Sequence, residues 1–269
     1  ISFEVSTLAA FAVKRRIFAG QGTAQTAVIG VDDDHCAAIY RDLRALGRQK
    51  VVPIAVGRRV ADGISVIGGR LYEADAADPA IDLARCKALP GEHNWQNAAA
   101  AFAAARALGL SRAEIQTGLQ SFPGLAHRME RVAEIDGVLF VNDSKATNAD
   151  AAAKALACYD AIYWIAGGKP KEGGIAGLDA FHRRIRHAYL IGEAAADFAA
   201  SLAGKVSVTV AGTLDRAVAE AFAAAQREAI AGAVVLLSPA CASFDQFSDF
   251  EARGRAFTLQ VAVLSGRAA

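Results

Sequence analysis

The chain has 269 residues, of which 54% are hydrophobic and 21% charged, and its formal net charge is +1. That composition suits two modest domains with sizeable cores and excludes a disordered chain. It offers no acidic or basic excess of the kind that marks nucleic-acid or membrane-surface partners.

Four cysteines, Cys36, Cys86, Cys158 and Cys241, lie far apart with no CxxC pair, so they read as lone thiols in a reducing cytosol. No signal peptide or membrane span is visible; the alanine-rich stretch 97–110 is interrupted by Arg106 and is too short to cross a bilayer. The chain opens Ile-Ser-Phe-Glu-Val-Ser, which reads as the middle of a buried strand and points to a fragment of a longer protein. Glu4 within it is a carboxylate in an apolar run, costly unless paired or bound to a metal.

Helical spacing of Leu8, Phe11, Ala12, Ile17 and Phe18 predicts a helix over 7–19, with Lys14-Arg15-Arg16 as a basic face. A buried strand at 27–31 ends in Asp32-Asp33-Asp34, which can start a helix over 33–46. A strand follows at 51–56. Segments 64–67 and 70–73 read as a hairpin around Gly68-Gly69. One helix runs from near Asn94 to Leu108. The next opens with Ser111 and Glu114 in capping-box spacing. Ser121-Phe-Pro-Gly124 breaks the pattern, and the domain boundary is placed there, giving domains 1–122 and 123–269.

Beyond the break, Asp136-Gly137 signals a hairpin turn leading into strand 138–143. Regular alternation follows: helix 149–158, strand 161–166, helix 178–186, strand 188–191, helix 193–202, strand 206–210, helix 213–230, strand 233–238 and helix 246–265. Such alternation predicts an α/β protein with a parallel sheet covered on both faces. Ligands bind at the carboxyl ends of such strands, and the polar clusters 142–148, 167–174 and 238–246 lie there.

The cluster 142–148, NDSKATN, is the densest. Backbone amides at a helix start, with a lysine and hydroxyls, suit an anion. A helix cap needs only one such residue, and six of these seven are polar. Gly167-Gly168-Lys169-Pro170-Lys171 permits close backbone approach but lacks the GxxxxGK[ST] spacing, so a solvated turn is an equal reading. Small residues at 238–243 could seat a ligand or simply make a tight turn. Cys241 has no histidine partner by spacing and is rejected as a nucleophile. Asn94 and Asn97 share one helix face and can pair amides with a base edge, although helix capping is the commoner use. Arg128 can grip a phosphate, or make a surface ion pair.

Taken in order, HNWQN, HRME, NDSKATN, GGKPK and LSPACASFDQF closely resemble the Mur ligases that add D-glutamate, over residues 7 to about 265. Sister ligases carry a histidine-containing motif where this chain has DSKATN. The resemblance implies a cytoplasmic, monomeric, three-domain enzyme using ATP and Mg2+, with no nucleic-acid or membrane partner. This chain would hold part of the central ATPase-type α/β domain and then a Rossmann-like, doubly wound C-terminal domain. ATP would phosphorylate the terminal carboxylate of UDP-N-acetylmuramoyl-L-alanine, and the amine of D-glutamate would attack the acyl phosphate.

By the same resemblance Asn94 and Asn97 match adenine-contacting positions, and Asp143 matches a ribose-holding carboxylate. Arg128 and Lys145 match positions near the phosphates. Thr147, Lys171, Ser243 and Phe250 match the D-glutamate site. Lys14 matches a carbamylated lysine that helps hold magnesium, and Glu4 a magnesium-ligand glutamate. The chain departs from the family in three ways. It has no GK[ST] phosphate loop and no UDP-binding domain, and it lacks roughly 25–30 residues expected between Ser6 and Thr7, longer than an ordinary connection. As written it is expected not to turn over. The alternatives are a paralogue adding another amino acid such as L-glutamate, and a non-catalytic nucleotide- or amino-acid-binding module. An unrelated dinucleotide-binding protein is disfavoured because no GxGxxG opens the turn after strand 138–143.

Overall fold

The computed structural model describes residues 12–266, so the expectations for Glu4 and for residues 7–11 of the first helix lie outside the described residues. The chain divides into two compact units between Phe122 and Pro123.

In the first unit, β1 (Thr26–Gly30), β2 (Lys50–Val56), β3 (Ile64–Ile67), β4 (Arg70–Glu73) and β5 (Ile81–Asp82) form one sheet in that order. The first three are parallel and the last two antiparallel. The side-chain period of two splits β2 between faces. Val51 and Ala55 pack with Leu43 of helix α1 (Asp34–Leu46). Val52 and Ile54 pack with Phe102 of α2 (Glu92–Ala107) and Ile115 of α3 (Arg112–Ser121). Each buried valine, leucine, isoleucine or phenylalanine among them contributes about 1.5–3 kcal/mol.

Local signals behave as their chemistry dictates. Asp33 caps α1 by accepting from the Cys36 amide at 2.9 Å, and Gly47 ends it in the left-handed region at φ 60°. Gly68 and Gly69 have φ of 55° and 76°, as a two-residue hairpin turn requires. Ser111 and Glu114 form the complete capping box. Helix α2, however, starts two residues before Asn94. Its N-cap is Gly91, which makes no side-chain cap.

The second unit holds β6 (Glu130–Ile135), β7 (Val138–Asn142), β8 (Ala161–Gly167), β9 (Ile185–Ile191), β10 (Val208–Gly212) and β11 (Ala233–Leu237), in the order β10-β9-β8-β11-β7-β6. All neighbours are parallel except β6, which pairs antiparallel with β7 across the Asp136-Gly137 turn. The turn is legible in the sequence, but the extent of its near strand is not.

Moving from β7 out to β10, the chain uses α4 (Ala149–Leu156) and α5 (Ala195–Leu202), whose apolar sides pack on one face with Ile162, Trp164 and Leu236. It returns to β11 through α6 (Leu214–Glu228). That helix covers the other face with α7 (Phe250–Leu264), against Tyr163, Val235 and Leu237. Right-handed crossovers in opposite directions place helices on opposite faces, which makes the sheet doubly wound and Rossmann-like.

Several expected elements shift, and three show why. The helix expected over 178–186 is a 3-10 helix, Asp179–Arg184, because Ile185 already pairs with Ile162 and β9 begins there. The strand expected at 206–210 is Val208–Gly212. The last helix begins at Phe250, not 246, because Asp249 caps it through the Ala252 amide at 2.5 Å.

Candidate active site

Strands β7, β11 and β8 are adjacent and parallel, with Leu237 in register with both Asn142 and Ile165. Their carboxyl ends therefore open on one edge. Among the described residues the buried polar side chains are Gln49, Ser65, Asn142, Asp143, Ser144, Ser238, Ser243 and Arg253. All but the first two belong to this edge. A buried polar group is the informative departure from ordinary packing, so the edge is where something other than packing is being arranged.

In the first loop, Asn148 alone caps α4, accepting from the Ala151 amide at 2.8 Å. Asn142, Asp143, Ser144 and Lys145 are committed elsewhere. The Asn142 amide donates to Glu130 Oε2 at 3.2 Å and to the Gly254 carbonyl at 3.0 Å, and its oxygen accepts from the Ser144 amide at 3.2 Å. Asp143 accepts from the Met129 amide at 3.2 Å and from the Ser238 hydroxyl at 2.9 Å. Burial raises its pKa from 3.8 to about 7, against those two hydrogen bonds and the Arg128 guanidinium nearby. Lys145 lays its ammonium 3.7 Å from the centroid of Phe250, a cation–π contact. Phe250 also meets the His127 ring edge-on at 6.2 Å.

The second and third loops are joined by backbone. Lys169 and Ala242 exchange amide bonds of 2.9 and 3.2 Å. Ser243 is buried, and its carbonyl receives the Gln246 and Phe247 amides. Cys241 is fully buried, and burial pushes its thiol up to about 12. That agrees with its rejection as a nucleophile.

Among the residues singled out from the sequence, Lys145 and Phe250 touch, and Asp143 senses Arg128, which is exposed. Thr147 is half-buried two residues after Lys145, its amide bonded to the Lys145 carbonyl at 2.8 Å. Lys171 is exposed and lines a cleft of about 460 Å3 together with Asp179, Asp197 and Lys205; Thr147, Ser243 and Phe250 do not line that cleft. In the first unit Asn94 and Asn97 sit side by side, with Asn97 Nδ2 3.5 Å from Asn94 Oδ1, and Asn94 donates back to the Pro90 carbonyl at 2.8 Å. The capping role that commonly explains such asparagines is not used. Lys14 is exposed and near enough to Cys36 to favour its thiolate, although burial dominates and raises that thiol.

Sequence reasoning missed Arg253 and Gly254. A glycine inside a helical pattern was the available signal. A Cβ at Gly254 would collide with the His127 ring, so only glycine lets the 127–130 segment approach α7.

Residues 127–241 match the family described as Mur ligase, glutamate ligase domain. The UDP-N-acetylmuramoylalanine–D-glutamate ligase of Caulobacter vibrioides is 54% identical over 254 residues, 93% of this chain and 53% of that protein. Over residues 127–241 this chain carries the glutamate ligase domain of the Mur ligase family. The similarly named ligase of Nitrobacter winogradskyi is 56% identical over 94% of this chain and 55% of its own length. The chain thus spans about half the length of the curated relatives it matches. Among solved structures, the UDP-N-acetylmuramoylalanyl-D-glutamyl-2,6-diaminopimelate–D-alanyl-D-alanyl ligase of Acinetobacter baumannii matches with a TM-score of 0.56 at 20% identity. That match covers 95% of this chain and 54% of that one. The UDP-N-acetylmuramate–alanine ligase of Thermotoga maritima gives 0.53 at 14%, covering 89% and 51%. At such identities these two speak for the shared fold.

Proposed function

We propose that the complete protein is a cytoplasmic, monomeric ligase that joins D-glutamate to UDP-N-acetylmuramoyl-L-alanine at the expense of ATP. This chain supplies part of its nucleotide domain, 1–122, and its amino-acid domain, 123–269. The observation that carries the reading is the meeting of three strand-end loops on one sheet edge, lined by buried polar groups, in a chain more than half identical to ligases bearing that name. Among the described residues no helix is long and apolar enough to cross a membrane.

The chemistry asks for cations and oriented donors, not a nucleophilic side chain. The γ-phosphoryl group moves to the substrate carboxylate and ADP leaves. The amine of D-glutamate then forms the C–N bond as the C–O bond to phosphate breaks, releasing inorganic phosphate and a proton. Negative charge gathers on oxygen in both steps, and fixed positive charge there lowers the barrier. Lys145 and Arg128 are assigned to the phosphates. Asp143, whose two oxygens each receive one hydrogen bond and keep lone pairs free, suits a ribose hydroxyl. Asn94 and Asn97 are assigned to adenine. Thr147, Lys171, Ser243 and Phe250 are assigned to D-glutamate, whose orientation supplies much of the rate.

Magnesium would contribute charge neutralisation at the phosphates. Among the described residues no three His, Cys, Asp or Glu side chains gather to hold a metal, so the described donors do not by themselves fit one. Its proposed ligands are Glu4, outside the described residues, and Lys14 as a carbamate.

The test is turnover by the complete chain with ATP, magnesium, UDP-N-acetylmuramoyl-L-alanine and a panel of amino acids, read by phosphate release and product mass. Product with D-glutamate is expected. Product with L-glutamate alone, or nucleotide binding without any product, overturns the reading.

A further inference from the structure

Arg253 is 1% exposed, and its guanidinium reaches two of the three loops at once. Its Nε donates to Ser144 Oγ at 3.0 Å and one Nη to the Ser144 carbonyl at 2.9 Å. The same nitrogen donates to the Cys241 carbonyl at 3.1 Å, and the other Nη to the Ala242 carbonyl at 3.3 Å. Every one of these acceptors is uncharged. Burial accordingly pulls the guanidinium down from 12.5 to about 10. Asp245 lies near enough to favour the cation but makes no ion pair with it. A buried cation without a paired carboxylate is expensive, so a residue kept there at that cost is doing something an apolar side chain would not.

The second loop is built around the same group. A Cβ at Gly168 would collide with the Ala242 carbonyl and press on Arg253 Nη1 at 3.1 Å. Ala242, gripped by Arg253, in turn holds Lys169 through their paired amide bonds. Ser144, also gripped, passes its own hydroxyl hydrogen to the Phe250 carbonyl at 2.8 Å.

We propose that Arg253 is a positioning residue that fixes the spacing of the Ser144–Thr147, Gly168–Lys171 and Cys241–Ser243 segments. It thereby sets where Thr147 and Ser243 meet the incoming amino acid. This rests on the ligase reading above. Arg253 itself is closed off from substrate, because it is 1% exposed and four of its five N–H donors are taken by protein atoms. A planar fork is well matched to this role, since one rigid group can bond acceptors on two segments, which a lysine ammonium on a flexible stem does not reproduce.

The experiment uses the complete ligase carrying Arg253→Lys or Ser144→Ala. Ser144→Ala deletes one acceptor while leaving the guanidinium, and carries the test should Arg253→Lys not fold. Hydrogen exchange of the Lys145, Lys169 and Ala242 amides is expected to accelerate while Val235, inside β11, stays protected. In the same variants KM for D-glutamate is expected to rise on the order of tenfold or more, since small misplacements of reacting groups are costly in rate and binding. ADP affinity should hold within about twofold, a split that general destabilisation would not give. Unchanged exchange at the three amides overturns the proposal, and so does a D-glutamate KM that stays put while they open. If the unaltered enzyme makes no product from D-glutamate, it is the ligase reading that fails. The exchange rates then still decide whether Arg253 holds the loops.

Discussion

The two units place their polar groups differently. In the second, a carboxylate, a guanidinium, an amide and three hydroxyls are buried together at the strand ends. In the first, the charges stay near water: Glu73 reaches Arg106 at 3.0 Å and Arg112 at 2.7 Å across α2 and α3, and Asp32 accepts from the Val56 amide and Gln96. The buried polar residues of the first unit are a hydroxyl, Ser65, that receives the Val60 amide, and Gln49, which donates to Gln21. One unit therefore carries electrostatic strain at its edge, and the other uses charge to fasten its surface. Strain of that kind is retained where function requires it.

The largest expected effect sharpens this contrast through pH. Asp143 has a folded pKa raised from 3.8 to about 7, so the folded state holds a proton that the unfolded chain has lost. Its penalty grows as pH rises between those values and is constant above, a loss on the order of 4 kcal/mol at 1.36 kcal/mol per pH unit. Asp143→Asn should flatten that fall in a thermal-unfolding series across the window, and Asp143→Ala should weaken ADP binding by titration calorimetry. A fall that persists in the Asn variant, or nucleotide affinity unmoved by alanine, would break the contrast.

Next in size, Lys171→Ala in the complete enzyme should raise KM for D-glutamate by roughly 10–100-fold, the worth of a lost charge-assisted hydrogen bond, with ADP affinity unchanged. Because Lys171 is exposed, stability should hold. Equal loss of both affinities removes its assignment.

Smaller effects belong to the first unit. Ser111→Ala removes the capping box and should cost about 1 kcal/mol in denaturant unfolding with ligand affinities unaltered. Smallest is Glu73→Gln. Burial alone would raise the Glu73 pKa, but its hydrogen bonds to Arg106 and Arg112 outweigh that and lower it. Its contribution is thus present above the ordinary carboxylate range and lost as pH falls, opposite in sign to Asp143. Half-exposed guanidinium partners keep it below about 1 kcal/mol, so the variant should lose a fraction of that at pH 7 and nothing in acid.

Read alone, the sequence determined whatever depends on neighbours a few residues apart. The Gly68-Gly69 turn, the Ser111–Glu114 cap and most of the alternation of strands and helices are local physics and stand in the structure, although β5 and the extent of β6 were not read from the sequence. Boundaries at Ile185 and Phe250 slipped because a distant partner, Ile162, and a capping choice at Asp249 set them. The polar loops were visible as clusters at strand ends and were expected to converge, yet the strand order that brings them together was not visible. Which strands are neighbours decides that, and β11 enters between β7 and β8 from nearly a hundred residues later in the chain. The role of Arg253 was hidden for the same reason: its acceptors at Ser144 are 109 positions away, and only folding brings a buried cation to the carbonyls that make it tolerable.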